Sequence, residues 1–188
     1  MEAATEKKTV NGVDVGQLFK TIELIKEKPE IAEFNFSVRN EWIDGTHNRA
    51  TVKDFFGAGD KDDSRKAMVF ELDEPPVLLG HNEGANPVEY LLVALSGCLT
   101  TSLIAHGSAK AVDLKKVESR YEGELDLRGF LGISDEVPVG YKSIRVYFKI
   151  DADIPKEKKE ELVSMAQKYS PVFNTITKTA PVSVHLES

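Results

Sequence analysis

The chain has 188 residues, 41% of them apolar and 29% charged, enough for one well-buried domain. Its 31 acidic residues outnumber 24 basic ones, and the net charge of -7 repels phosphate backbones and anionic lipid, so neither nucleic acid nor a membrane is an expected partner. A single cysteine, Cys98, rules out an internal disulfide, and the charged start MEAATEKKTVNG has no signal-peptide stretch; both predict a reducing, cytoplasmic location.

Residues 1–30 read as a helical extension and 31–188 as the main domain. Within the extension, Leu18, Ile22 and Ile25 recur at helical spacing from Val13 to Lys28, and Pro29 stops the pattern. Phe34, Phe36 and Val38 then alternate with polar residues, the period of a half-buried strand. After the turn signal Asp44-Gly45, strands are predicted over Ala50 to Phe56 and Ala67 to Leu72, giving an antiparallel meander. The loop from Asp73 to Ala85 leads to a strong helix start: Asn86 as cap, Pro87 in the first helical position, Glu89 three residues past the cap. The apolar window from Tyr90 to Ala105 runs about 16 residues, short of the roughly 20 a bilayer span needs, and predicts a buried core helix.

Beyond Gly107, strands are predicted over Val117 to Leu125 and Ile144 to Ile150, with a glycine-containing excursion at 128–132 between them. Pro155 opens a helix over Lys156 to Tyr169. Ser170-Pro171 starts a shorter one through Thr177, and Val182, Val184 and Leu186 alternate in a terminal strand. The order predicts an α+β fold, with antiparallel sheets packed on a long buried central helix. That helix is apolar on nearly every side and needs cover all round, which a second chain would supply.

Cys98 shares a helix face with Leu91, Leu95 and Ser102. A free cysteine is often a small buried hydrophobe; to react it must ionise, and a free thiol of pKa about 8.5 is mostly protonated at neutral pH without a stabilising neighbour.

The run from Gly84 to Cys98, with its Asn86-Pro87 to Cys98 spacing, resembles the helix signature of the OsmC/Ohr family, the osmotically inducible and organic hydroperoxide resistance proteins. Gly123 to Gly129, Gly140-Tyr141, Ser170 to Thr175 and Pro181-Val182 are similar in order and spacing, so the resemblance runs from about Phe34 to the end. It implies an OsmC-like domain over 31–188 and a swapped homodimer with two sites at its interface. It also implies reduction of organic hydroperoxides by two cysteines, one attacking the peroxide and one resolving the sulfenic acid. Cys98 matches the first. The second falls at Ser170, which cannot form a disulfide, so the peroxidase reading calls on an external thiol reductant.

The carboxylate that follows the motif's proline and holds a catalytic arginine is replaced by Val88. Glu89, some 100° further round the helix, is a possible support that also suits a capping box. Arg39, Arg49, Arg65 and Arg128 are candidate cations, Arg39 and Arg49 foremost because they lie by the early strands. His47, His81, His106 and His185 have no metal-ligand spacing, and no cofactor motif appears, so neither metal nor cofactor is expected. Two functions follow from the resemblance: a one-cysteine hydroperoxide reductase of the oxidative stress response, or a non-catalytic protein that binds a small apolar ligand at the dimer interface with Cys98 as packing. A purely structural interaction domain is the third reading.

Overall fold

A computed structural model of the chain describes residues 9–187, so residues 1–8 of the expected extension lie outside it. The chain forms two compact units, one of residues 14–91 and one of residues 9–13 with 92–187.

The first unit holds helix α1 (Val15–Glu27), started by Asp14, whose carboxylate accepts the Gln17 N–H at 2.9 Å. Strands β4 (Arg39–Asp44), β5 (His47–Val52) and β8 (Met68–Leu72) make an antiparallel sheet in the order β4-β5-β8, and β3 (Asn35–Phe36), β6 (Phe55–Gly57) and β7 (Asp60–Asp62) make a second. This is the expected meander, with differences: the predicted half-buried strand of Phe34, Phe36 and Val38 shortens to β3 with all three side chains exposed, and β7 forms where no strand is predicted. The run from Ala50 to Phe56 breaks at Lys53-Asp54 into two strands of different sheets, and β4 precedes the Asp44-Gly45 turn where no strand was predicted. Periodicity missed β4 because its even positions, Asn40, Trp42 and Asp44, and its odd ones, Arg39, Glu41 and Ile43, each mix polar and apolar residues.

Asp73, just after β8, organises the following loop. Fully buried, it accepts the Thr46 hydroxyl at 2.7 Å and the N–H groups of Glu74, His81 and Glu83 at 2.8, 2.8 and 3.1 Å. The Thr46 bond foremost, with the three backbone donors, holds its carboxyl well below the usual range against the opposing effect of burial. Further along, Gly84 passes so close to the Glu71 carbonyl that a Cβ would collide with it, and Ala85 bridges to Leu72.

The second unit is built on helix α2 (Pro87–Ala109), which enters it at residue 92. Leu95, Leu99 and Leu103, one turn apart, are buried against Leu162 and Ala166 of α4 (Lys156–Tyr169). Strands β9 (Lys116–Glu124) and β10 (Ser143–Asp151) pair antiparallel with Tyr121 opposite Val146 and Val117 opposite Ile150, and this face closes the core. A short α3 (Leu127–Phe130) occupies the excursion between them, and α5 (Pro171–Thr177) follows α4. The hairpin of β1 (Thr9–Val10) and β2 (Val13–Asp14) turns at Asn11-Gly12, both at positive φ. Asn11 then pins the end of α2: its amide donates to Ser108 Oγ at 3.0 Å and Val112 O at 2.9 Å, and its carbonyl accepts Leu114 N–H at 2.8 Å.

Two expectations are corrected. Helix α2 is longer than the 16-residue window and, by length and composition alone, could cross a membrane; its leucine row is instead the core of this unit. Within this single chain Leu91 and Val93 are exposed, so the chain alone does not supply the cover all round that the apolar helix calls for. Within one chain the predicted terminal strand has no partner: Val184 and Leu186 are 92% and 100% exposed, and no element spans 178–187. Alternation marks a segment able to be a strand, but the backbone needs a neighbour to bond.

Leu99→Ala is expected to lower stability by about 2–5 kcal/mol in urea titration, while Leu79→Ala, at a position 84% exposed, changes it by less than about 0.5 kcal/mol. Because Asp73 has a lowered folded pKa, its stabilisation is full above the ordinary carboxylate value of about 4 and is lost as pH falls through the folded value. Asp73→Asn, with one acceptor oxygen for four donors, should lower the urea midpoint at neutral pH and flatten its decline below pH of about 4.

Candidate thiol site

Cys98 lies one residue before Leu99 on α2, so the buried leucine row holds it at the edge of the core, half-buried. The next residues of its own row are Ser102 and His106, and all three meet the junction of α4 and α5. The Val172 N–H donates to Cys98 Sγ at 3.5 Å, Ser102 Oγ donates to the Tyr169 carbonyl at 3.5 Å, and the His106 ring lies 4.5 Å from the Tyr169 ring.

The donors at the start of α5 can be counted. Pro171 has none, Val172 N–H goes to the Cys98 sulfur, Phe173 N–H goes to Ser170 Oγ at 3.2 Å, and Asn174 N–H reaches the Ser170 carbonyl at 3.0 Å. Cys98 therefore accepts a backbone donor that would otherwise lack a partner. The same geometry serves a reactive sulfur, because a donor aimed at sulfur interacts more strongly with a thiolate than with a thiol.

Ser170 is fully buried and is the N-cap of α5, the role its place before proline predicts. Glu89 closes a capping box: Asn86 N–H donates to its Oε2 at 2.9 Å while Asn86 Oδ1 accepts the Val88 N–H at 2.9 Å. Nine residues before Cys98 on one helix, Glu89 stands about 13 Å away along the axis and on the opposite side.

Arg39 and Arg49 belong to residues 14–91. The Glu71 carboxylate holds Arg49 Nε at 2.7 Å and His47 Nε2 at 2.8 Å, and these two bonds lower its pKa, the Arg49 bond first. Arg39 lines a groove of about 290 Å³ with Ser37, Thr51, Lys53 and Asp54. Arg65 donates to the Lys53 carbonyl and lies 4.9 Å over the Phe55 ring, and Arg128 pairs with Asp126 at 2.7 Å. Within the second unit, among the described residues, the bond recorded at the Cys98 sulfur comes from the Val172 N–H, and no cluster of His, Cys, Asp or Glu among the described residues could hold a metal ion.

The residues that contact the thiol row, Val172 and Tyr169, were not singled out in the sequence. Val172 acts through its backbone, which side-chain patterns do not report. The one available signal was Pro171, whose lack of an N–H makes the next donor the first that needs a partner.

The architecture has solved counterparts. An OsmC-like protein of Mycoplasma pneumoniae superposes with a TM-score of 0.59 at 15% identity, covering 77% of this chain and 89% of its own. An organic hydroperoxide resistance protein OsmC of Legionella pneumophila gives 0.53 at 17% identity, with coverages of 75% and 89%. One from Elizabethkingia anophelis, with crystallant-derived thiocyanate bound, gives 0.54 at 15% identity, with coverages of 77% and 91%. At such identities the likeness is one of fold. No curated protein sequence matches the chain. The family model described as OsmC-like protein matches residues 80–185, more than half of the chain and all of the segment that builds the thiol row and the α4–α5 junction, and the chain belongs to the OsmC-like family.

Proposed function

We propose that the protein is a cytoplasmic, homodimeric, one-cysteine reductase of organic hydroperoxides. The observation that carries this reading is the placement of Cys98: half-buried at the edge of the core, with a backbone N–H directed at its sulfur. Attack of the thiolate on the distal peroxide oxygen forms the S–O bond and breaks the O–O bond. The departing alkoxide takes up a proton, giving the alcohol and Cys98 sulfenic acid. With serine at position 170, resolution falls to an external dithiol. One of its sulfurs displaces water from the sulfenic acid, and the second then attacks the mixed disulfide, releasing Cys98 and an oxidised dithiol.

Homodimerisation accounts for apolar surface that each unit leaves open: Phe36 and Trp42, 69% and 71% exposed, in one, and the alternating Val182, Val184 and Leu186 in the other. A second copy contributing these surfaces would cover them and give the terminal segment a strand to pair with, in the swapped arrangement that the family resemblance implies.

Wild-type protein supplied with dithiothreitol or a dihydrolipoyl donor is expected to consume cumene hydroperoxide, and Cys98→Ser should fall to the uncatalysed rate. Equal rates would overturn the reading and leave the non-catalytic one, an apolar ligand at the dimer interface. Sedimentation equilibrium at micromolar concentration should give twice the chain mass of 20.8 kDa; a persistent monomer removes the dimer from the proposal.

A further inference from the structure

Asn174 makes more bonds across the α4–α5 junction than any capping role requires. Its side-chain NH2, with two N–H groups for three carbonyls, lies 2.8 Å from the Ser170 carbonyl and 3.2 Å from each of the Gln167 and Lys168 carbonyls, so at least one donor is shared. Gln167 and Lys168 belong to the last turn of α4, where carbonyls have no donor within the helix. Ser170 is the cap of α5 and also takes the Asn174 backbone N–H. One amide thus ties the end of one helix to the start of the next, and between those anchors lies Val172, whose N–H meets Cys98. Ser102 and His106 hold the same junction at Tyr169.

We propose that Asn174 is a positioning residue for Cys98, fixing the Val172 N–H at the sulfur by locking the α4–α5 turn; its role in turnover rests on the peroxide chemistry proposed above. Asn174 does not touch the sulfur. Without the Asn174 amide α5 is still held by its Ser170 cap and by Val172, Phe173 and Ile176 against the core, but the turn loses the lock that sets the Val172 N–H at the sulfur. A thiolate loses more by that than a thiol, so the effect falls on reactivity rather than on folding alone.

The test compares Asn174→Ala and Asn174→Asp with wild type. Aspartate keeps the shape of the side chain but turns an acceptor toward three carbonyls. Iodoacetamide alkylation of Cys98 at neutral pH should slow about threefold or more in both variants, with the pH–rate profile moved to higher pH, as expected for partial loss of a hydrogen bond to a charged acceptor. Peroxide consumption should fall in parallel. Asn11→Ala, which removes a comparable set of bonds at the other end of the same unit, should leave the alkylation profile in place. Wild-type profiles in both Asn174 variants overturn the proposal, as does an equal displacement in Asn11→Ala. A displaced profile in a protein whose peroxide consumption ignores Cys98→Ser supports the positioning role and sinks the peroxidase reading alone. Should the Asn174 variants fail to fold, NMR of the wild type decides: the Val172 amide resonance must titrate together with Cys98 alkylation, and an amide indifferent to that titration overturns the proposal.

Discussion

The structure of the second unit depends on the burial of one leucine row. Leu95, Leu99 and Leu103 lie against Leu162 and Ala166, with the inward face of β9 and β10 closing the core. An α-helix advances 100° per residue, so fixing this row fixes the direction of every other side chain on α2. Cys98, one position before Leu99, comes to rest at the margin of the core rather than in it, and Ser102 and His106 follow along the same margin. A leucine one residue earlier or later would have turned the thiol either into the apolar interior or out into water.

What the margin meets is the turn between α4 and α5. Helix ends expose backbone donors and acceptors that must be matched, and this turn matches them by using groups from both sides. Pro171 removes one donor, the Ser170 hydroxyl and carbonyl take two more, the Asn174 amide satisfies the carbonyls at the end of α4, and the remaining N–H goes to Cys98. The sulfur is thus part of the hydrogen-bond accounting of the fold as well as the candidate reactive atom. That double use explains why serine is well accommodated at position 170: its hydroxyl has a structural role that needs no redox chemistry.

The loop of the first unit shows the same economy. The Asp73 carboxylate, buried and ionised, collects one hydroxyl and three backbone N–H groups that would otherwise be stranded. Arg49, singled out as a candidate activating cation, is engaged with Glu71, which also takes His47. Charge of the right sign was visible in the sequence, but its partner was set by the register of β5 against β8, which places Arg49 opposite Glu71.

Elements whose signals are local can be read from the chain alone. The Asn86-Pro87-Glu89 start of α2, the bounds of α4, the Ser170-Pro171 start of α5 and the alternation of β10 all rest on residues within a few positions of one another, and the physics that reads them is equally short in range. Packing and turn geometry set three things that no such signal marks: which side of α2 is buried, that Val172 offers its N–H to Cys98, and that Asn174 bridges two helix ends. The first two depend on groups up to 74 residues apart in the chain, and although Pro171 flags the free donor that follows it, nothing nearby names its partner; the third lies within seven residues but joins a side chain to backbone carbonyls, which side-chain patterns do not report. The terminal segment draws the same line from the other direction: its alternation is written in Val182, Val184 and Leu186, yet a strand exists only where a neighbour completes its hydrogen bonds.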